Sequence, residues 1–386
     1  DFDNLKDYVK ISYELTQDGL LIGKGKLDEV SVVPHSEGKT NLQVNVPENG
    51  KCYLKLTYHL KKEMPLLEED YILGFDEIEV SQKDAKCQLA EKWVEKTVTD
   101  SELQVSEDDT QIHIKGREFA YTIDRRTALF TEMKFAGREY LNHPMELNIW
   151  RAPTDNDMYI KSEWKKAHYD KAYTRAYTTE VVQGKHGVKI TSHASVVAET
   201  VQKILDVTIT WKIEAAGKID ADIAVTKDDE FPDLPRFGVR MFLDKKLSAA
   251  RYFGMGPQES YCDKHQAASH GLYQANVDDL HEDYIRPQEN GSHYDCEYVE
   301  LNNSRYGIVV SAENAFSFNA SYYTQEELEE KTHNYELTES DSVVFCVDYA
   351  LNGIGSNSCG PVVLEQYRFD DVLFRFQFTL IPYVKG

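Results

Sequence analysis

Three polar segments, each marked by glycine or proline, hold the side chains of this sequence that could do chemistry. Residues 151–157 read RAPTDND, residues 254–261 read GMGPQESY, and residues 352–361 read NGIGSNSCGP. Clustered carboxylates, amides and hydroxyls beside a closely approaching backbone can bind sugar hydroxyls or a cation. For the first two segments the competing structural interpretation, polar turns whose side chains bond their own backbone, is favoured. The third is a loop between two strand-like segments, and loops carry function more often than strands do.

The motifs of several common enzyme classes are missing from the sequence. It contains no GxxxxGK[ST] phosphate loop, no HExxH zinc helix and no GxSxG nucleophile elbow. Gly254 and Gly256 could suggest a dinucleotide loop, but Pro257 follows them and no βαβ pattern surrounds them. His265 and His270 stand five residues apart, which is not the spacing of a helical metal pair. We therefore predict no metal site in this chain.

Composition limits the classes of partner. The chain has 386 residues, enough for two to three domains, and a formal net charge of -23. A field of that sign repels phosphate backbones and anionic lipid heads, which argues against nucleic-acid and membrane-surface binding. Apolar runs stay far below the ~20 residues of a membrane span. The start at Asp1, with neither an initiator Met nor a signal-like segment, suggests a piece cut from a longer chain.

The segments that must position these side chains read mostly as strands. Apolar residues alternate with polar ones through residues 9–15, 54–60 and 374–380. Residues 205–213 and 219–225 alternate in the same way around Ala-Ala-Gly, which predicts a hairpin. Helical signals are confined to residues 162–175 and 325–331.

Strands without long intervening helices predict an all-β protein of antiparallel sheets packed face to face. Some six to seven short strands within residues 1–82 favour an immunoglobulin-like sandwich. We place that domain at residues 1–97 and one large antiparallel β domain at residues 98–386. Six cysteines without a CxxC pair give no sign of a disulfide framework.

In this order and approximate spacing, the three polar segments resemble the C-terminal part of the family 2 β-galactosidases of bacteria. RPQENG at residues 286–291 and LPRFG at residues 234–238 are also similar to segments of that family. The resemblance implies an immunoglobulin-like domain followed by the family's small-chain-type final domain, a super-sandwich like that of galactose mutarotases.

The activity implied by the resemblance is retaining glycoside hydrolysis of a β-galactoside by two carboxylates about 5 Å apart. In the family both carboxylates lie on a TIM barrel, and the acid/base Glu follows an Asn. This chain contains no Asn-Glu dipeptide and no βα repetition, so we expect no catalytic residue in it. The missing barrel is then the expected partner, and Mg²⁺ or Na⁺ would belong to the full enzyme rather than to this chain. Family habit and free thiols favour the cytoplasm, and assembly of identical copies is left open.

The resemblance also implies roles for particular residues. It brings the third segment to the mouth of the barrel, where some relatives place a tryptophan that stacks on the sugar and this chain has Cys359. A thiol offers no flat apolar face, so we expect Asn357, Ser358 and Cys359 to be rim contacts with weaker affinity for the aglycone. The remaining motif residues are expected to brace the domain against its barrel; they are Arg151, Asp155, Asn156, Asp157, Gln258 and Glu259.

Two other functions remain open at this stage. The chain could be an accessory small subunit or carbohydrate-binding module of a two-chain β-galactosidase, although the Met-less start and the leading domain count against it. It could also be a mutarotase-like epimerase, which needs a histidine base and a carboxylic acid. His113, His193 and His293 stand nearest to strand-like segments, and none of them lies in a recognisable motif.

Overall fold

The computed structural model describes residues 3–90, 93, 103–355 and 358–385. The chain divides into two compact units. The first unit comprises Asp1–Leu89 with Ser269–Leu272, and the second comprises Ala90–Ala268 with Tyr273–Gly386. The predicted boundary between residues 97 and 98 lies outside the described residues.

The first unit forms a four-stranded antiparallel sheet in the order β2-β1-β3-β4. Asp18 and Gly19, with φ of 47° and 76°, turn β1 into β2, a conformation typical of tight hairpins. A short helix, Leu5–Tyr8, precedes the sheet. The strands are β1 Val9–Gln17, β2 Leu20–Lys26, β3 Cys52–Leu60 and β4 Ile72–Glu79.

This sheet has fewer strands than the six to seven predicted for residues 1–82. Residues 27–51 contain no strand, although residues 41–46 alternate between exposed and half-buried positions. Alternation fixes which side chains share a face, whereas a strand also needs a neighbouring backbone to hydrogen-bond with. The number of strands therefore could not be taken from the pattern alone.

The second unit is built on a twelve-stranded antiparallel sheet and a five-stranded sheet, except that the first four residues of one strand of the large sheet, Ser269–Leu272, belong to the first unit. The main path of the large sheet is β10-β15-β20-β19-β21-β14-β13-β12-β11, and the smaller sheet runs β5-β6-β7-β8-β9. The strands are β5 Gln104–Glu107, β6 Gln111–Lys115, β7 Phe119–Asp124, β8 Leu129–Phe135, β9 Arg138–Glu139, β10 Leu141–Asn148, β11 Tyr173–Gln183, β12 Gly187–Val197, β13 Leu205–Glu214, β14 Ile219–Lys227, β15 Arg236–Asp244, β16 Ala249–Gly256, β17 Ser269–Asn276, β18 Ser292–Asn302, β19 Tyr306–Ser321, β20 Ser342–Leu351 and β21 Leu373–Val384.

The predicted hairpin is formed by β13 and β14, and the C-terminal β21 pairs with β14 as a further strand. The apolar positions of β13 point into the core, where Trp211 is fully buried. Its ring packs edge-on against Phe130 of the smaller sheet at 4.9 Å between centroids, and its Nε1 donates to the carbonyl of Ala128 at 2.8 Å. Burying a large ring with its one polar atom satisfied stabilises the contact between the two sheets. The all-β prediction is confirmed.

Helices are short. One spans Ile160–Lys166, and it ends earlier than the predicted residue 175 because His168 adopts a left-handed φ of 56° before β11 begins. Another spans Gln325–Glu330, where the hydroxyl of Thr324 accepts from the amide of Glu327 at 3.1 Å. Within the described ranges, no helix combines the length and apolar character needed to cross a bilayer.

Candidate functional site

A buried ion pair lies beneath the loop that follows β20. Arg151 follows β10 and is fully buried, and its Nε and Nη2 donate to the two carboxylate oxygens of Asp157 at 3.1 and 2.7 Å. The other guanidinium hydrogens donate to the backbone carbonyls of Asn352 and, at 3.1 Å, Gly353. The charge of Arg151 is thus compensated inside the protein, and the ion pair holds the loop backbone.

Two more polar side chains hold the same loop. Asn156 donates from Nδ2 to the carbonyl of Ile354 at 2.6 Å. Asp263 accepts from the amides of Ile354 and Gly355 at 3.0 and 2.7 Å. Residues that are far apart in the sequence therefore converge on the backbone of residues 352–355, which we call the held loop.

Glycine makes this close approach possible. A Cβ on Gly353 would lie 2.7 Å from the Asp263 carboxylate, so a larger residue would displace it. Asn352 ties the start of the held loop, because its amide donates to the carbonyl of Pro235 at 3.0 Å and its Oδ1 accepts from the amide of Phe369 at 2.8 Å. The held loop is thus anchored from the strand end onward.

The RPQENG segment joins the cluster from another side. The amide of Asp155 donates to Gln288 Oε1 at 2.9 Å, and the amide of Glu289 donates to the carbonyl of Ala152 at 3.0 Å. The fully buried Arg236 then links Glu289, at 3.2 Å, to Asp348, at 3.1 Å. These contacts bind three sequence motifs into one interior network.

Burial raises the pKa of the Glu289 and Asp348 carboxyls, and the positive charge of Arg236 opposes that shift in both. Glu289 Oε1 accepts no hydrogen bond from the described residues. Each carboxylate here is bound to an arginine or to a backbone amide. These contacts position the loop and the motifs around it. Among the described residues, no group of three or more metal-ligating side chains occurs.

The two residues predicted from GMGPQESY, Gln258 and Glu259, lie in different environments. Glu259 keeps only 6% of its side chain exposed and accepts from the amide of Gly291 at 2.8 Å, and it also binds the ammonium of Lys264 and the hydroxyl of Tyr284. Gln258 is exposed and has no hydrogen bond to any residue that the structure describes. The structure therefore places Glu259 in the network and leaves Gln258 outside it.

The predicted rim residues lie beyond the held loop. Ser358 and Cys359 are exposed. Asn357 lies outside the described residues. Contact of these three with a sugar stays a prediction.

Sequence reasoning missed Asp263 and Asp348. Asp348 stands in the otherwise apolar run VVFCVDY, and a charged residue in such a strand signals a buried partner. No comparable signal marks Asp263, which follows GMGPQESY by two residues and is half-buried. Its function in the cluster depends on a loop about ninety residues further along the chain.

An apolar rim flanks the cluster. A cavity of about 510 Å³ is lined by Asp157 and Asn352 together with Met158, Tyr159 and Val362. The last three are 44%, 60% and 57% exposed, respectively. Exposed large apolar side chains around a cavity are typical of surfaces that bind another protein segment.

These features define an all-β protein in which a buried network of arginines and carboxylates holds a loop in place. Residues 115–380 match the family model of the beta galactosidase small chain, and residues 1–81 match that of beta-galactosidase domain 4. The chain belongs to the beta galactosidase small chain family. The resemblance inferred from the sequence motifs is thereby confirmed.

Relatives agree with that assignment. The chain is 42% identical over 383 residues to a beta-galactosidase of Actinobacillus pleuropneumoniae, covering 99% of this chain and 37% of that protein. It is 31% identical over 351 residues to a beta-galactosidase of Staphylococcus xylosus, covering 90% and 34%. The chain thus spans about a third of the length of these relatives. Among solved structures, it is similar to galactose 1-epimerase from Lactobacillus acidophilus NCFM at a TM-score of 0.38 and 8% identity, covering 75% of this chain and 100% of that one.

Proposed function

We propose that this chain is the non-catalytic C-terminal part of a retaining β-galactosidase, which braces a catalytic TIM barrel and lends a loop to the rim of its sugar site. The observation that carries the proposal is the convergence of Arg151, Asn156 and Asp263 on the held loop. Family membership and the length of the relatives support it.

A loop held from below contributes to binding by being already ordered. Fixing a flexible segment costs about 1–2 kcal/mol per residue in backbone entropy, and ligand binding is weaker when the segment becomes ordered only on binding. The hydrogen bonds of Arg151, Asn156 and Asp263 order the held loop during folding, before any ligand binds. Ser358 and Cys359 would then extend toward the sugar from an anchor that is already ordered.

The first test is activity. We expect the purified 386-residue chain to release no nitrophenol from nitrophenyl β-galactoside, whereas the complete gene product releases it. Turnover by the chain alone would overturn the non-catalytic assignment. An inactive complete product would overturn the β-galactosidase assignment.

The second test addresses the held loop within the complete enzyme. Asp263→Ala removes two hydrogen bonds to the loop backbone, and losing about 1 kcal/mol of positioning raises KM for lactose about fivefold with a smaller change in kcat. Asp283→Ala is the matched control, because that side chain is 84% exposed. An unchanged KM in Asp263→Ala would separate the held loop from the sugar site.

The third test addresses the rim. Cys359→Trp supplies a flat apolar face, so we expect a lower KM for lactose in the complete enzyme. Cys359→Ser is the matched control, because it keeps the size of the side chain without adding a ring. If KM is the same in Cys359→Trp and in the native enzyme, Cys359 does not contact the sugar.

The description of the matched family favours a second candidate, a separate small subunit that complements a large chain. Mixing the purified 386-residue chain with a separately produced barrel region distinguishes the two. Activity that appears only on mixing, in an organism that encodes the two chains separately, would favour the subunit.

A further inference from the structure

We propose that this chain binds a neutral saccharide in a cavity of its second unit that borders the held loop, whose Gly353 amide donates to the carbonyl of the lining residue Tyr367 at 2.8 Å. The cavity measures about 300 Å³, and its lining includes Tyr294, Tyr349, Tyr367, Arg368 and Asp371. We call it the tyrosine cavity. Its volume lies at the small end of the ~300–1,000 Å³ typical of ligand sites, which suits a mono- or disaccharide.

Aromatic rings supply the apolar side of the site. Tyr349 of β20 is half-buried, and its ring stacks on Phe374 at 4.9 Å and an interplanar angle of 15°. Phe369 packs on it at 5.9 Å. A ring held in this way offers a fixed face to the C–H groups of a pyranose at little cost in entropy.

Tyr294 and Tyr367 both line the cavity. The pKa of Tyr294 is raised to about 12, first by burial and then by the charge of Asp295 and by its neighbours Cys262 and Tyr367. Burial therefore keeps the Tyr294 phenol neutral at physiological pH. A neutral phenol both donates and accepts a hydrogen bond, as does a sugar hydroxyl.

Four polar groups of the lining have no hydrogen-bond partner among the described residues. They are the hydroxyls of Tyr294, Tyr349 and Tyr367 and the carboxylate of Asp371. Arg368 uses only its Nε–H, which donates to the carbonyl of Val363 at 3.1 Å, so its other donors remain available. Convergent donors and acceptors beside apolar rings are the usual composition of a site that orients a small polar ligand.

Charge selects a neutral ligand. The lining carries the carboxylates of Asp295 and Asp371 against the guanidinium of Arg368, and the chain as a whole carries -23. An anionic ligand such as a sugar phosphate would be repelled. An uncharged saccharide bonds the tyrosine hydroxyls and the Asp371 carboxylate while its apolar face covers the rings.

The backbone is also unusual at this point. The pairing of β18 with β19 shifts register between His293 and Cys296, and Asp295 there adopts a left-handed φ of 54°. Irregularities of this kind recur beside binding sites, where they direct side chains out of the regular sheet. Here the irregularity brings Tyr294 and Asp295 to the tyrosine cavity.

This inference does not rest on the proposed function, because sugar binding in the tyrosine cavity is measured on the 386-residue chain without a catalytic barrel. The test titrates galactose, glucose and lactose into the purified 386-residue chain, followed by saturation-transfer NMR and calorimetry. We expect at least one of these sugars to bind. No saturation transfer from any of them would overturn the proposal, and so would tighter binding of glucosamine, a cation, than of glucose.

Two conservative variants locate the site. We expect Asp371→Asn to weaken sugar binding about tenfold through loss of a charged acceptor, and Tyr349→Phe to weaken it several-fold through loss of one hydroxyl. Asp370→Asn and Tyr335→Phe are matched controls of the same chemistry; neither residue lines the cavity, and Tyr335 is 83% exposed. Equal binding by Asp371→Asn, Tyr349→Phe and the native chain would overturn the assignment to this cavity. An inactive complete enzyme would leave this binding result unaffected, so the two proposals fail separately.

Discussion

At the scale of single residues, the interior of the second unit keeps one histidine neutral. His293 of β18 is 1% exposed, and its ring packs between Tyr252 at 4.5 Å and Phe318 at 5.1 Å. Burial lowers its pKa to about 4, although the carbonyl of Met255 and the charge of Glu259 act in the opposite direction. An aromatic environment of this kind disfavours the imidazolium.

The lowered pKa predicts a pH dependence. The pKa of His293 is about 6.5 in the unfolded state and about 4 in the folded state. At a pH between these two values, the imidazole is protonated to a greater extent in the unfolded state, so protons favour unfolding. The free energy of unfolding contributed by His293 is complete above about pH 6.5 and is lost as the pH falls toward 4. As the pH falls through this range, the free energy of unfolding of the native chain should therefore decrease by up to about 1.4 kcal/mol per pH unit more than that of His293→Gln.

Urea unfolding at pH 7, 6 and 5 measures this difference. The raised carboxyl pKa values of Glu289 and Asp348 act alike in both proteins and cancel in the comparison. His193→Gln is the matched control, because that histidine is exposed on β12. A difference between the native chain and His293→Gln that does not change with pH would contradict the prediction.

At the scale of elements, β15 and β20 approach unusually closely where the buried network crosses them. A Cβ on Gly238 would lie 2.2 Å from the carbonyl oxygen of Val347 and 2.4 Å from Asp348 Oδ1. The strand register shifts at the same point, between Phe237 and Gly238. Because residue 238 is glycine, the Asp348 carboxylate can reach Arg236, which lies two residues before Gly238 on β15.

We therefore expect Gly238→Ala to lower the free energy of unfolding of the chain by about 1–3 kcal/mol, because the added methyl must displace backbone and a buried carboxylate. Chemical denaturation measures the loss. Gly184→Ala is the matched control, since its Cβ would meet only the Gly187 carbonyl oxygen at 3.5 Å. Equal stability of the two variants would show that the strands separate without cost.

At the scale of the whole molecule, the net charge of -23 means that many carboxylates repel one another over distances longer than an ion pair. Paired groups such as Arg240 and Glu146, at 2.6 Å, are much closer together than the Debye length in physiological salt, about 8 Å. Salt therefore screens the long-range repulsion more than it weakens the pairs.

Raising NaCl from 10 to 150 mM should accordingly raise Tm, by about 1 °C for each ~1 kcal/mol of repulsion removed. Differential scanning calorimetry measures it, and the same series in KCl separates screening from specific ion binding. A Tm that falls as salt increases would mean that the ion pairs, rather than the repulsion, dominate the charge interactions.

Sequence patterns alone predicted the all-β class, the hairpin of β13 and β14, the C-terminal strand and the family. Alternation reports which face of a strand is buried, and this information is local. The motifs identified Arg151, Asn156 and Asp157 as a group because they are neighbours in the chain.

Three findings required the tertiary structure: Asp263 binds the held loop at the amides of Ile354 and Gly355, Arg236 joins Glu289 to Asp348, and Gln258 lies outside the network. These contacts join residues on different strands and loops. Their formation depends on how the sheets close in space, and the side-chain periodicity of a single strand carries no information about which distant segment will lie beside it.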